Sequence, residues 1–279
     1  MKAIKPILFL CAALCFATAC KKEVDMTLVQ KTLYENADIR QIEVEDAWQV
    51  TVVADSNTYV ELEYSAYLEP GLNIKKQGTL LEIGFTDNVN PVVNSVFRAT
   101  IHLKKIEWIE AEDASRLNFT GHFFATSDTL YVNLDDASVC TGLNYSGAVC
   151  EVALEDASHF LDFELSGYNC EVSVNDASTC KGRFDIAFNY VANLSGASQL
   201  VTFGGSAYNS TIRLEGGSQL NMVQTEIHAL DVDLTGVSEA TVNVTDRITG
   251  SLKEASTLYY MGHPVLDVDC SEDSRIVPF

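Results

Sequence analysis

The chain is short of positive charge. Lys and Arg number 18 against 39 Asp and Glu, a net charge of −21. A surface of that sign repels phosphate backbones and anionic lipid heads, which excludes nucleic acid as a partner and excludes membrane binding through a basic patch. Histidine is scarce as well. His102, His122, His159, His228 and His263 include no two at ligand spacing and no His-x-Glu or His-Glu-x-x-His motif, and no Cys-x-x-Cys occurs. No metal site is therefore assigned, and a transition-metal centre is excluded. A Gly-x-Ser-x-Gly elbow is absent, so serine-nucleophile catalysis of that type has no carrier. Beyond the first 19 residues no apolar run could cross a bilayer, and no stretch carries the i, i+3, i+4 periodicity of an amphipathic helix.

What is present is a repeated phrase. Asp136-Ala137-Ser138, Asp156-Ala157-Ser158, Asp176-Ala177-Ser178, Gly196-Ala197-Ser198 and Gly216-Gly217-Ser218 follow one another every 20 residues. Looser copies extend the series: Asp113-Ala114-Ser115 upstream, then Gly236-Val237-Ser238, Glu254-Ala255-Ser256 and Glu272-Asp273-Ser274 downstream. A fixed period of this size is the signature of a solenoid in which each repeat is one rung.

Counting each serine as position 1, position 13 reads Cys150, Cys170, Tyr190, Ser210, Leu230. Position 15 reads Val152, Val172, Ala192, Ile212, Val232, and position 17 reads Leu154, Val174, Leu194, Leu214, Leu234. Polar residues such as Glu151, Glu171, Asn193, Arg213, Asp231 and Asp233 fill the gaps. Alternation with period two describes a strand with one buried face. The pattern continues with Leu266, Val268 and Cys270, and position 3 is apolar from Leu117 to Ile276. One clear strand, two or three corners and no helix per rung predict an all-β, parallel β-helix with successive rungs about 4.8 Å apart. Positions 4 to 11 are less regular: Phe163, Leu165 and Phe203 share one parity while Phe184, Ile186 and Phe188 share the other, which calls for a corner or bulge.

The phrase itself sits where the chain must turn. Asp and Gly both tolerate φ > 0, and a small second residue fits a tight corner. The alternative, a short calcium ladder of Asp136, Asp156 and Asp176, is cut off by three glycines at the same position. No cofactor is assigned, and calcium is the one ion this alternative would admit. Cys150 and Cys170 share position 13 in adjacent rungs, within disulfide reach, but in-register stacking points both Cβ atoms the same way. Buried free thiols are the expectation.

Residues 1–19 form a secretory signal: Lys2 and Lys5, the apolar run Ile7 to Phe16, then Ala17-Thr18-Ala19 before Cys20. Cysteine after small residues resembles a bacterial lipoprotein cleavage site, with Ala17 where Leu is usual. By that likeness Cys20 becomes the lipidated first residue, and Lys21-Lys22-Glu23 resembles the tags that send lipoproteins of Bacteroides-like bacteria to the outer surface. Loss of the leader removes two of the 18 basic residues and leaves 16 against 39 acidic, a net −23. The expected layout is signal 1–19, lipid-anchored tether 20–35 and β-helix 36–279. Within the last, 36–112 form irregular opening rungs and a cap, and 113–279 form regular rungs.

The phrases, together with Thr245-Asp246-Arg247-Ile248-Thr249-Gly250-Ser251-Leu252, Glu254-Ala255-Ser256, Tyr259-Tyr260, Gly262 and Pro264, resemble the head GIN domain family of bacterial adhesins. Ile42-Glu43-Val44 and Gln49-Val50-Thr51-Val52 are similar to its opening strand. The resemblance spans 36–279 and implies a right-handed, extracytoplasmic parallel β-helix without catalytic residues. Glu254 and Glu272 depart from its Gly or Asp. The expectation is an outer-membrane lipoprotein, on the cell surface or the periplasmic side, that binds a protein or glycan ligand or plays a structural part. It would touch the membrane through its lipid anchor alone. The competing readings are a polysaccharide lyase or hydrolase and an envelope scaffold or sensor. The enzyme reading would use outward acids, for which Glu151, Glu171, Asp231, Asp233, Asp267 and Asp269 are the candidates. The plainer reading of these acids is a solvated face that keeps the chain soluble.

Overall fold

A computed structural model describes residues 24–86, 89–125 and 129–279. The signal, Cys20 and Lys21-Lys22-Glu23 lie outside the described residues. The strands of the opening region are β1 (Leu28–Leu33), β2 (Gln41–Val44), β3 (Gln49–Ala54), β4 (Tyr59–Ser65), β5 (Leu72–Gln77), β6 (Leu80–Phe85) and β7 (Phe97–Leu103), with a short 3-10 helix at Ala66–Gly71. Short rung strands follow: β8 (Trp108–Ala111), β9 (Arg116–Thr120), β10 (His122–Phe124), β11 (Thr129–Leu134), β12 (Val139–Thr141), β13 (Asn144–Ser146) and β14 (Val149–Leu154). Then come four continuous strands, β15 (His159–Val174), β16 (Thr179–Leu194), β17 (Gln199–Leu214) and β18 (Gln219–Leu234), and the closing set β19 (Glu239–Leu252), β20 (Thr257–Met261), β21 (Val265–Cys270) and β22 (Arg275–Pro278). Together they wind a β-solenoid of about eight turns.

The predicted ladders are present in register. Cys150 pairs with Cys170 and Cys170 with Tyr190; Val174 pairs with Leu194 and Leu194 with Leu214. Positions 13, 15 and 17 of these rungs are buried, and Leu194 is 2% exposed. The burial of whole columns of Val, Leu, Ile and Phe is what stabilises the coil, at roughly 1.5–3 kcal/mol per large side chain. All five described cysteines are free. Burial pushes the Cys140, Cys170 and Cys180 thiols well up and Cys150 to about 12, which leaves inert core side chains.

The phase change in the middle of the rung has a definite origin. Asp162, at φ 54°, is an extra residue in β15, and the register against β16 shifts between Leu161 and Phe163. Parity therefore flips after Phe160, and Phe163 and Leu165 point inward. In β16 no residue is inserted there, so Phe184 and Ile186 point inward on the other parity. Phe188 and Phe203 are exposed.

The corner is the tight turn expected of its composition. Asp136 and Ala137 have φ of 49° and 62°, and the pairs at 113, 156 and 176 match them. Positive φ at both central residues is the pattern of a type I′ turn. Where Gly leads, at Gly196, Gly216 and Gly236, only the glycine has φ > 0, as in type II′. The turn also occurs where the repeat was not expected: Asp46 and Ala47 both have φ 59°, with Trp48 standing in the serine's place. Trp48 is fully buried and packs its ring against Phe85 and Phe97, plugging the solenoid's first end.

Two expectations need correction. Residues 20–35 were expected to be a tether, but β1 lies within them and pairs antiparallel with β4 along its whole length. Its edge hydrogen bonds find a partner, so Leu28–Leu33 joins the sheet. The last rung was expected to continue the core, but Leu266 is 41% exposed and Cys270 is exposed, because among the described residues β21 pairs on one side alone, with β19.

Candidate functional site: an outward sheet face

The first face of the solenoid runs β6, β2, β8, β11, β14 and onward through β21. Parallel register sets its outward side chains in two continuous rows. One row reads Gln41, Trp108, Tyr131, Glu151, Glu171, Val191. It continues through Thr211, Asp231, Thr249 and Asp267. The neighbouring row reads Glu82, Glu43, Glu110, Asn133 at its start and Arg213, Asp233, Ser251, Asp269 at its end. All six outward acids read from the sequence lie on this face. Glu151 and Glu171 are direct neighbours, and the four aspartates form a separate group near the far end.

The acids stand side by side, as parallel pairing of identical rungs requires. Hydrogen bonds tie several down: Asn193 Nδ2 donates to Glu171 Oε1 at 3.4 Å, Thr249 Oγ1 to Asp231 Oδ1 at 3.4 Å, and Ser251 Oγ to Asp233 Oδ1 at 2.8 Å. A glycosidase needs carboxyls on both sides of one bond; acids stacked along one sheet offer a single side.

Two features of this face were not read from the sequence. Trp108 and Tyr131 form an exposed ring pair, centroids 5.5 Å apart, and Trp108 Nε1 donates to Glu110 Oε2 at 3.2 Å. Beside them Glu43 sits between Glu82 and Glu110. Burial, then Glu45, Glu110, Glu82 and Glu112, raise its pKa to about 7. The signal was there in Glu43-x-Glu45 and Glu110-x-Glu112, but their stacking depends on β2 lying against β8, across the 63 residues 45–107, which carry no complete Asp-Ala-Ser phrase.

Of the proposed calcium ladder, Asp136 and Asp156 come together with Asp135, their carboxylate oxygens within 4.8 Å of one another, while Asp176 is not in the group. Asp135, first, then burial, Asp113 and Asp156 raise the Asp136 pKa, which is the behaviour of crowded like charges. On the second face, over β4, β7, β3 and β9, an open groove of about 760 Å³ is lined by Gln49, Thr51, Arg98, Thr100, Arg116 and Asn118 among others. Arg98 Nε pairs there with Glu63 at 3.1 Å.

Solved structures share this architecture. A putative adhesin from Parabacteroides merdae aligns over 92% of this chain and 98% of its own, at 15% identity and TM-score 0.64. A putative adhesin from Parabacteroides distasonis aligns over 92% and 96%, at 17% identity and TM-score 0.55. A putative lipid binding protein from the same organism aligns over 92% and 98%, at 13% identity and TM-score 0.54. At these identities the likeness concerns the fold. No curated protein matches the sequence. Residues 38–264 match the family described as putative auto-transporter adhesin, head GIN domain, and at that coverage the chain belongs to it.

Proposed function

We infer that this protein is a surface-displayed lipoprotein, anchored through Cys20, that acts by binding through the outer faces of its solenoid and carries out no catalysis. The observation behind this reading is the arrangement of the acids. Glu151 and Glu171 pair in register on one sheet, and the acids beyond them follow in the same two rows. Rows of solvated carboxylates, amides and rings are contact chemistry. Membership of an adhesin-type family and the adhesin-like fold of its neighbours agree with it. Anchoring at Cys20 would hold the solenoid close to the membrane, with its faces turned to the medium.

Two measurements test the reading. Cys20→Ser should abolish lipid labelling and release the protein from the membrane fraction; unchanged attachment would refute the anchor. The double variant Glu151→Gln, Glu171→Gln should leave turnover of a glycan panel at background, with and without calcium, as in the unmodified protein. Cleavage of any glycan that vanishes in the double variant would replace the binder with an enzyme.

A further inference from the structure

One column of the solenoid spends exposed aromatic surface in a regular way. Asn169, Asn189 and Asn209 pair in register across β15, β16 and β17, with Ala229 following in β18. The residues immediately before them, one per rung at the corner beside the first face, are Tyr168, Phe188, Tyr208 and His228. The first three are 59%, 57% and 53% exposed. Tyr208 and His228 stack with centroids 4.6 Å apart. Large rings left half in water cost free energy, and here they recur at the rung spacing of about 4.8 Å. The fold does not demand it: Ala148 occupies the same place one rung earlier, ahead of Val149, the partner of Asn169.

Beside the rings runs a ladder of amides. Asn189 Nδ2 donates to Asn169 Oδ1 at 3.0 Å, and Asn209 Nδ2 donates to Asn189 Oδ1 at 3.4 Å. Each amide has two donors and two acceptor positions, so Asn189 keeps one of each for an outside partner. Its orientation is already set by its neighbours, which lowers the entropic cost of using it.

We propose that this corner is a binding track for an extended, neutral glycan chain lying along the solenoid axis, with sugar C–H faces on the rings of Tyr168, Phe188 and Tyr208 and hydroxyls on the Asn169–Asn189–Asn209 ladder. The rung repeat is close to the length of one pyranose in an extended chain, so ring and amide recur once per sugar. Charge selects the occupant. The protein is strongly acidic, and Glu171, two residues past Asn169, and Asp185, three before Phe188, flank the track. Polyanionic glycans and anionic lipid surfaces are repelled, whereas a neutral sugar supplies hydroxyl donors to carboxylates and amides alike.

The proposal rests on the reading of the protein as a binder and names its ligand class. The test is affinity electrophoresis of the full chain, purified in detergent, through gels containing soluble β-glucan, mannan, xylan or polygalacturonate, with flotation on phosphatidylethanolamine–phosphatidylglycerol vesicles alongside. At least one neutral polysaccharide should retard the protein. The triple variant Tyr168→Ala, Phe188→Ala, Tyr208→Ala should weaken that retardation about tenfold or more while the melting temperature stays near the parent's. Phe188→Ala and Asn189→Ala should each weaken it severalfold, and these single variants carry the test if the triple variant does not fold. The track is refuted if no neutral polysaccharide retards the protein, if the variants are retarded like the parent, if polygalacturonate is preferred, or if ring-dependent flotation on vesicles replaces retardation. Failure of the Cys20 anchor would leave retardation intact, and failure of retardation would leave anchoring intact, so the two readings fall separately.

Discussion

At the scale of single residues, the repeated phrase divides its work between a backbone-making pair and a buried hydroxyl. The Asp-led and Gly-led corners differ by more than composition. The Ala137 N–H donates forward to Asp156 O at 2.9 Å and the Ala157 N–H to Asp176 O at 3.0 Å, whereas the Gly217 N–H donates backward to Gly196 O at 2.8 Å. Types I′ and II′ differ by a flip of the central peptide, and that flip reverses which way its N–H points along the axis. Type II′ favours glycine at its first central position, which accounts for the Gly-led corners; Glu254, at φ 61°, takes the same place without glycine, and the Ala255 N–H likewise donates backward to Gly236 O at 2.9 Å. The serines that follow are buried in every rung. Ser138 Oγ donates to Ala111 O at 2.8 Å, while Ser158 Oγ has no partner. Ala111 O also accepts from the Asp135 N–H at 2.9 Å and keeps that donor when the hydroxyl is removed, so Ser138→Ala should destabilise by about 1 kcal/mol, the net worth of one hydrogen bond. Ser158→Ala should be neutral or stabilising, since it removes an unsatisfied buried hydroxyl. Equal losses in paired denaturation curves would show that the serines act by size alone.

At the scale of the element, the instructive case is β2 between β6 and β8. Register places Glu43 beside both Glu82 and Glu110, and partial burial with four neighbouring carboxylates raises its pKa from 4.5 to about 7. The folded chain thus holds a proton between pH 4.5 and about 7 that the unfolded chain has released. The stabilisation this confers is full below pH 4.5 and is lost as pH rises through about 7. Glu43→Gln should melt at a higher temperature than the parent at pH 8, and its melting temperature should fall less steeply between pH 4.5 and 7. Glu45 and Glu112, also raised by burial first, will keep part of the slope. Parallel melting-temperature profiles for variant and parent would mean that Glu43 is solvated and ordinary.

At the scale of the whole molecule, the solenoid is closed at one end and open at the other. Trp48 and the antiparallel strands β1, β4 and β5 cover the first end, while β21 ends the stack with Val265 and Leu266 exposed. Each rung is held by its two neighbours, so burial and stability should grade along the axis. Leu194, between Val174 and Leu214, loses its whole side-chain environment on truncation, and Leu194→Ala should cost about 2–5 kcal/mol. Leu266→Ala removes far less buried area and should cost under about 1 kcal/mol. Urea titrations of the two variants check this directly; similar midpoints would show that the inward register of the central rungs is wrong by one residue.

The repeat determined much by itself, because its information is local. A turn that needs φ > 0, a strand with period two and a step of 20 residues together dictate a parallel solenoid, and they name the buried columns from Leu117 to Leu258. Outward acids follow from the same alternation. The tertiary structure decided what depends on contacts between distant or irregular segments. The Asp46-Ala47 corner was hidden because Trp48 replaces serine. The β6 and β7 strands fold back beneath β2 and β3, so spatial order departs from chain order at the first end. The bulge at Asp162 sets parity by a single inserted residue, which hydrophobic alternation cannot locate. The Trp108–Tyr131 pair, the Glu43 row and the track of Tyr168, Phe188 and Tyr208 became visible only once register placed residues of separate rungs side by side.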